Sequence, residues 1–171
     1  PRPAPVVLWF HGGAWRYGTK EFNFHLRDLT RHGFAVATVQ YRKISEAPWP
    51  GALQDAEAGL AWLRLNADRF GLDPNRVFLT GVSAGGHLAL WLASRPNPKV
   101  KLTAAVSLAG VADLRHGAET NMGGGEIPAF LGGSPATHPE RYRAASPIER
   151  LPFHIPTRLL HGAQANIVPL E

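Results

Sequence analysis

Two short stretches of this 171-residue chain combine residue types that could do acyl chemistry. The first is Gly81-Val82-Ser83-Ala84-Gly85, followed by Gly86-His87. At the chain's own glycine and serine frequencies, a serine flanked at two places on each side by glycine arises by chance about 0.1 times, so its context matters more than the pattern. A compact apolar run at 77–80 precedes it and a helical stretch at 84–94 follows. A strand that bends sharply into a helix projects the residue at the bend from the sheet edge, and the glycines let the neighbouring strand and helix approach closely. The helix start then turns free N–H groups and partial positive charge toward a developing oxyanion. Ser83 is thus a candidate nucleophile; the plainer alternative is a serine that caps a helix.

The second stretch is His11-Gly12-Gly13-Ala14-Trp15, directly after an apolar run at 6–10. Glycines there leave backbone N–H groups uncovered, as a loop that binds a substrate oxygen requires. The amides of Gly13, Ala14 and Ala84 are the expected donors. A histidine that ends a buried strand braces its loop more often than it acts as a base, and His11 is read that way. His87, one turn into the helix, also reads as structural. Trp15 and Tyr17 either line an acyl pocket or pack against the loop.

These positions need a scaffold, and the rest of the chain supplies its pattern. Strand-like runs at 6–10, 34–39, 77–80, 104–108 and 157–160 alternate with helical stretches at 20–32, from Pro50 through Leu65, and at 84–94. The first helix carries apolar Phe24, Leu26 and Leu29 and stops at Gly33; the third stops before Pro96 and Pro98. Strands separated by helices predict a mostly parallel sheet with right-handed crossovers. The expected fold is a three-layer α/β/α sandwich forming one domain over 1–171. Residues 110–156 break the rhythm with glycine runs at 123–125 and 132–133 and two short helical candidates, 127–131 and 139–145. This insertion is either a lid or an irregular connection packed on the core.

Composition narrows the function classes. Hydrophobic residues make up 44% and charged residues 18%, as in a globular chain. The formal charge of +5 is spread over separated pairs, Arg27 and Arg31, Arg64 and Arg69, Lys99 and Lys101, so no nucleic-acid partner is expected. No apolar run reaches membrane-spanning length. The absence of cysteine removes thiolate nucleophiles, thiolate metal sites and disulfides together. The chain opens at Pro1 with no recognisable signal peptide, and its compartment stays open.

The H-G-G-x-W loop and S-A-G-G-H elbow, in this order and about seventy residues apart, resemble the hormone-sensitive-lipase-like and bacterial carboxylesterase branches of the α/β-hydrolase superfamily. Small acyl or aryl esterases and kynurenine formamidase-like amidases share both motifs. Gln40-Tyr41-Arg42, Asp55 within the second helix and Asp73-Pro74-Asn75-Arg76 also look like this family. The resemblance covers nearly the whole chain, from the family's third strand to its seventh. It implies hydrolysis of small carboxylic esters through an acyl-enzyme at Ser83, with no metal and no cofactor.

Two parts of the family's pattern have no counterpart here. The acid is expected after the strand at 157–160, where the chain reads His161-Gly162-Ala163-Gln164-Ala165, so Ala165 holds the acid's place. From Leu151 onward the sole carboxylate is Glu171, and no histidine follows His161. The expectation is a fragment cut at both ends, with Ala165 a natural substitution, an engineered knock-out or a sequence error. Asp113, after the fourth strand, is either a structural loop residue or a substitute acid. A catalytically impaired small-molecule-binding protein and a serine peptidase of the same fold are the alternatives to the esterase.

Overall fold

The computed structural model describes residues 2–21, 24–95 and 101–169, with backbone alone at Phe24 and His25. Pro96 and Pro98 as helix stops, Lys99 and Glu171 lie outside these residues.

Five parallel strands form one sheet in the order β2-β1-β3-β4-β5: β1 (Ala4–Phe10), β2 (Ala35–Val39), β3 (Leu72–Val82), β4 (Leu102–Leu108) and β5 (Thr157–Leu160). Parallel neighbours cannot be joined by a tight turn, so each connection crosses over the sheet. The crossovers include α1 (Phe24–Arg31), α2 (Gly51–Phe70) and α3 (Ala84–Ala93). Alternation along the strands assigns the faces. Val6, Leu8 and Phe10 of β1 and Val77 and Leu79 of β3 pack with Leu53, Ala56, Leu60 and Leu63 of α2 and Leu88 and Leu92 of α3. Val7 and Trp9 point to the opposite face, where Leu26 and Leu29 of α1 lie beside them. Helices on both faces give the expected sandwich.

Three boundaries differ from the sequence pattern for local reasons. Helix α2 runs five residues past Leu65, until Gly71 turns left-handed at φ 63°. Strand β3 begins at Leu72, paired with Ala4, and its register then slips so that Val77 pairs with Val6. The intervening residues fold on themselves: Asp73 accepts from the Asn75 amide and Arg76 Nε, and Arg76 Nη2 donates to Pro3 O. Helix α1 is shorter than 20–32, spanning Phe24–Arg31.

The insertion is packed rather than loose. It contains α4 (Leu114–Glu119), α5 (Glu126–Leu131), α6 (Pro139–Ala145) and a 3-10 turn at Pro147–Arg150. Leu114, Ile127, Phe130, Leu131, Tyr142 and Ala145 all join the core that α2 and α3 build against the sheet. Helix α4 has no counterpart in the sequence expectation. Its six residues include Gly117, too short and too weak a stretch to show a helical period.

Candidate active site

A parallel sheet gathers the carboxyl ends of its strands at one edge. Phe10 pairs with Gly81, Val82 with Leu108, and Leu108 with Leu160. The segments that follow, starting at His11, Ser83, Ala109 and His161, therefore emerge side by side. Order β2-β1-β3 reverses direction between β1 and β3, and such a switch point is where open α/β sheets open a crevice. Ser83 and the 11–15 loop follow the two strands on either side of this switch point.

At the bend, Ser83 has φ 54° and ψ −120°. A non-glycine residue with positive φ is strained and persists only where its surroundings fix it. Here they do. The Ser83 amide donates to Leu108 O at 2.9 Å, and the Ser83 carbonyl accepts from the His87 amide at 3.0 Å. Gly81 and Gly85 explain the two flanking positions. A Cβ on Gly81 would lie 2.7 Å from Phe10 O, and one on Gly85 would run into the carbonyls of Phe10 and His11. Ser83 is half-buried, and among the described residues no hydrogen bond engages its hydroxyl. No side chain caps α3 either, so the capping alternative does not describe it.

The loop after β1 lies against this bend. A Cβ on Gly12 would sit 3.0 Å from Val82 O and 3.5 Å from the Ser83 Cβ. Gly13 (φ 112°), Ala14 (φ 52°) and Trp15 (φ 55°) form a run of left-handed backbone. The Gly13 carbonyl closes it, accepting from the amides of Arg16 at 2.9 Å and Tyr17 at 2.7 Å. Gly13 is obligatory, because a Cβ there would meet the Tyr17 carbonyl carbon at 2.6 Å. Among the described residues, no backbone carbonyl accepts from the amides of Gly13, Ala14 or Ala84.

Both histidines of the motifs are held in place. His11 Nδ1 donates to Gly12 O at 2.8 Å, and its ring stacks on Tyr41 at 4.2 Å. The Tyr41 hydroxyl donates back to His11 O at 2.8 Å. Burial lowers the His11 pKa and raises that of Tyr41. His87 is fully enclosed. Its Nδ1 accepts from Trp15 Nε1 at 3.2 Å while its Nε2 donates to Ala145 O at 3.0 Å, which fixes the neutral tautomer. Burial lowers its pKa to about 4. Trp15 is buried and stacks on Phe130 at 4.5 Å, whereas Tyr17 is exposed. Of the two roles open to Trp15, the structure displays packing.

The remaining sequence candidates sit in the loops after β4 and β5. Asp113 is the N-cap of α4, its Oδ1 accepting from the His116 amide at 3.0 Å. Ala165 lies in the turn after β5, its amide donating to Gly162 O. His161 Nε2 donates to Val168 O at 2.6 Å. Sequence reasoning missed the partners that fix the loop. Tyr41 was visible only as a family likeness, and nothing in the sequence pattern couples Glu126 or Phe130 to residues 15 and 16.

A wide groove lies elsewhere. It measures about 750 Å³ and follows the outer edge of β2, lined by residues such as Thr38, Val39, Trp62 and Phe70. It runs along a strand flank instead of across strand ends, and neither Ser83 nor the 11–15 loop contributes to it. Among the described residues, no group of three or more His, Cys, Asp or Glu could hold a metal ion, and no helix is long and apolar enough to cross a membrane.

The BD-FAE family model matches residues 1–171. Esterase LipC of Mycobacterium tuberculosis (strain ATCC 25618 / H37Rv) is 30% identical over 189 residues, covering 99% of this chain and 46% of LipC. In the same organism, the probable carboxylic ester hydrolase LipM is 30% identical, covering 98% of this chain and 43% of LipM. The chain thus spans less than half the length of these relatives. The structure of a bacterial heroin esterase superimposes with TM-score 0.74 at 30% identity, covering 92% of this chain and 56% of that one. A truncated carbohydrate esterase from gut microbiota superimposes with TM-score 0.88 at 24% identity, covering 99% and 70%, a likeness of fold alone.

Proposed function

The chain belongs to the BD-FAE family of the α/β-hydrolase superfamily, and from that membership we propose that it is a serine ester hydrolase for small acyl or aryl esters. Ser83 Oγ attacks the ester carbonyl carbon. As the new C–O bond forms, the carbonyl π pair moves onto the substrate oxygen, where the N–H groups of Gly13, Ala14 and Ala84 receive it. Collapse breaks the bond to the leaving oxygen, which departs as the alcohol carrying the proton that Ser83 gave up, and water then cleaves the acyl-enzyme to the carboxylic acid and restores the Ser83 hydroxyl. The observation that carries this proposal is the strained φ of 54° at Ser83, beside a left-handed loop whose amides lack carbonyl acceptors among the described residues.

No acid or base is assigned. Asp113 caps a helix, His161 is bonded to Val168 O, and Ala165 has no carboxylate. A serine hydroxyl without a proton acceptor is a weak nucleophile, and binding and oxyanion donors alone give about 10³–10⁴-fold acceleration over water. Added imidazole can take the proton in place of a side chain. A fluorophosphonate probe with mass spectrometry tests the assignment. The expected adduct is on Ser83, forms faster with rising imidazole, and is missing from S83A. Labelling spread evenly over several serines would overturn it.

Ala165 in the acid's place favours a second proposal, a ligand-binding protein of this fold without turnover. Hydrolysis of p-nitrophenyl acetate no faster in the wild type than in S83A, with imidazole present, would select it. Cleavage of a peptide anilide in preference to the ester would indicate a peptidase instead.

A further inference from the structure

The loop bearing the proposed oxyanion donors is gripped at two consecutive residues. Trp15 is held by His87, one turn beyond Ser83 on α3, and by the ring of Phe130 on α5. Arg16 is held by Glu126, also on α5: its Nε lies 3.1 Å from one carboxylate oxygen and 2.9 Å from the other. Glu126 and Phe130 are four residues apart and share a helix face. A single short helix of the insertion therefore meets the loop at residues 15 and 16 together.

The grip has a physical reason. Ala14 and Trp15 both hold left-handed backbone, at φ 52° and 55°, a region that side-chain-bearing residues leave unless something restrains them. The backbone bond that closes the turn, from the Arg16 amide to Gly13 O, belongs to the residue whose side chain Glu126 holds. Loss of that hold lets the turn relax, and the amides at 13 and 14 move with it.

We propose that Glu126 is a positioning residue. By holding Arg16, it sets where the Gly13 and Ala14 amides stand relative to the Ser83 hydroxyl. It touches no reacting atom. The inference rests on the assignment of Ser83 as nucleophile. Because a displaced amide fails mainly the charged transition state, the cost falls on kcat and spares KM.

The test is steady-state hydrolysis of p-nitrophenyl acetate with saturating imidazole, well below each variant's unfolding temperature. For E126A, kcat is expected to fall by about ten- to a hundredfold, as a misplacement on the order of 1 Å would cause, with KM within about twofold. The reversed pair R16E/E126R should recover part of the loss seen in either single variant. R16K, which keeps the charge but lacks the Nε–H that meets both oxygens of Glu126, should fall between wild type and E126A. A kcat for E126A equal to wild type, or a reversed pair no better than its parents, would overturn the inference. Should E126A fail to fold, R16K decides: unchanged kcat in R16K overturns it, and a kcat loss at constant KM supports it. S83A separates the two layers, since full activity in S83A sinks the nucleophile assignment itself.

Discussion

His87 shows how much a single enclosed side chain can impose. It is uncharged in the folded chain because charging it would place an imidazolium in the core and put a second N–H against the Trp15 indole. Its folded pKa of about 4 lies below the unfolded value near 6.5. Its contribution to stability is therefore complete above about pH 6.5 and is lost as pH falls toward 4, a change of about 3 kcal/mol. Burial shifts His11 in the same direction, so both act with one sign. Urea unfolding at a series of pH values between 7 and 4 checks this. The wild type should lose stability steeply across that window, and His87→Gln should show a distinctly shallower slope. An identical slope in the variant would locate the pH dependence elsewhere.

Elements differ in how plainly the sequence announces them. The bend at Ser83 was legible because its needs leave their mark in adjacent residues: glycines where Phe10 O passes and where the helix closes in, and a strand and a helix on either side. The loop after β1 was legible for the same reason, since Gly13 must adopt φ 112°. Helix α4 was not. Its definition comes from Asp113 capping the His116 amide and from Leu114 buried in the core, neither of which leaves a periodic trace in six residues. The bonds from His87 to Ala145 O and from Trp91 to Ala144 O likewise join stretches more than fifty residues apart. For Asp113, the cap predicts a definite outcome. Asp113→Ala should lower stability by about 1 kcal/mol while the rate of Ser83 labelling stays within about twofold of wild type. A labelling rate that collapses at unchanged stability would instead make Asp113 the substitute acid.

At the scale of the whole sheet, the described residues form two unlike margins. Val39 at the β2 margin is buried, whereas Leu159 and Leu160 of β5 are 63% and 56% exposed, and among the described residues β5 pairs with β4 alone. An unpaired strand with exposed leucines invites pairing with another chain, and a lysine there discourages it. Leu160→Lys should reduce concentration-dependent light scattering without shifting the unfolding midpoint appreciably, because the Leu160 carbonyl that accepts from the Ala109 amide is main chain. Equal scattering by both proteins would show that the β5 margin is not the sticky surface.

The pairing of β3 with both β1 and β4 has one more consequence. The backbone that crowds Gly81 and Gly85 comes from residue 10, and the carbonyl that receives the Ser83 amide comes from residue 108. Those segments approach from opposite directions along the chain, and neither can arrive before its long connection has closed. A chain in which either connection is still open therefore lacks the backbone contacts that hold Ser83 at its positive φ, so the bend belongs to the assembled sheet and not to the local peptide.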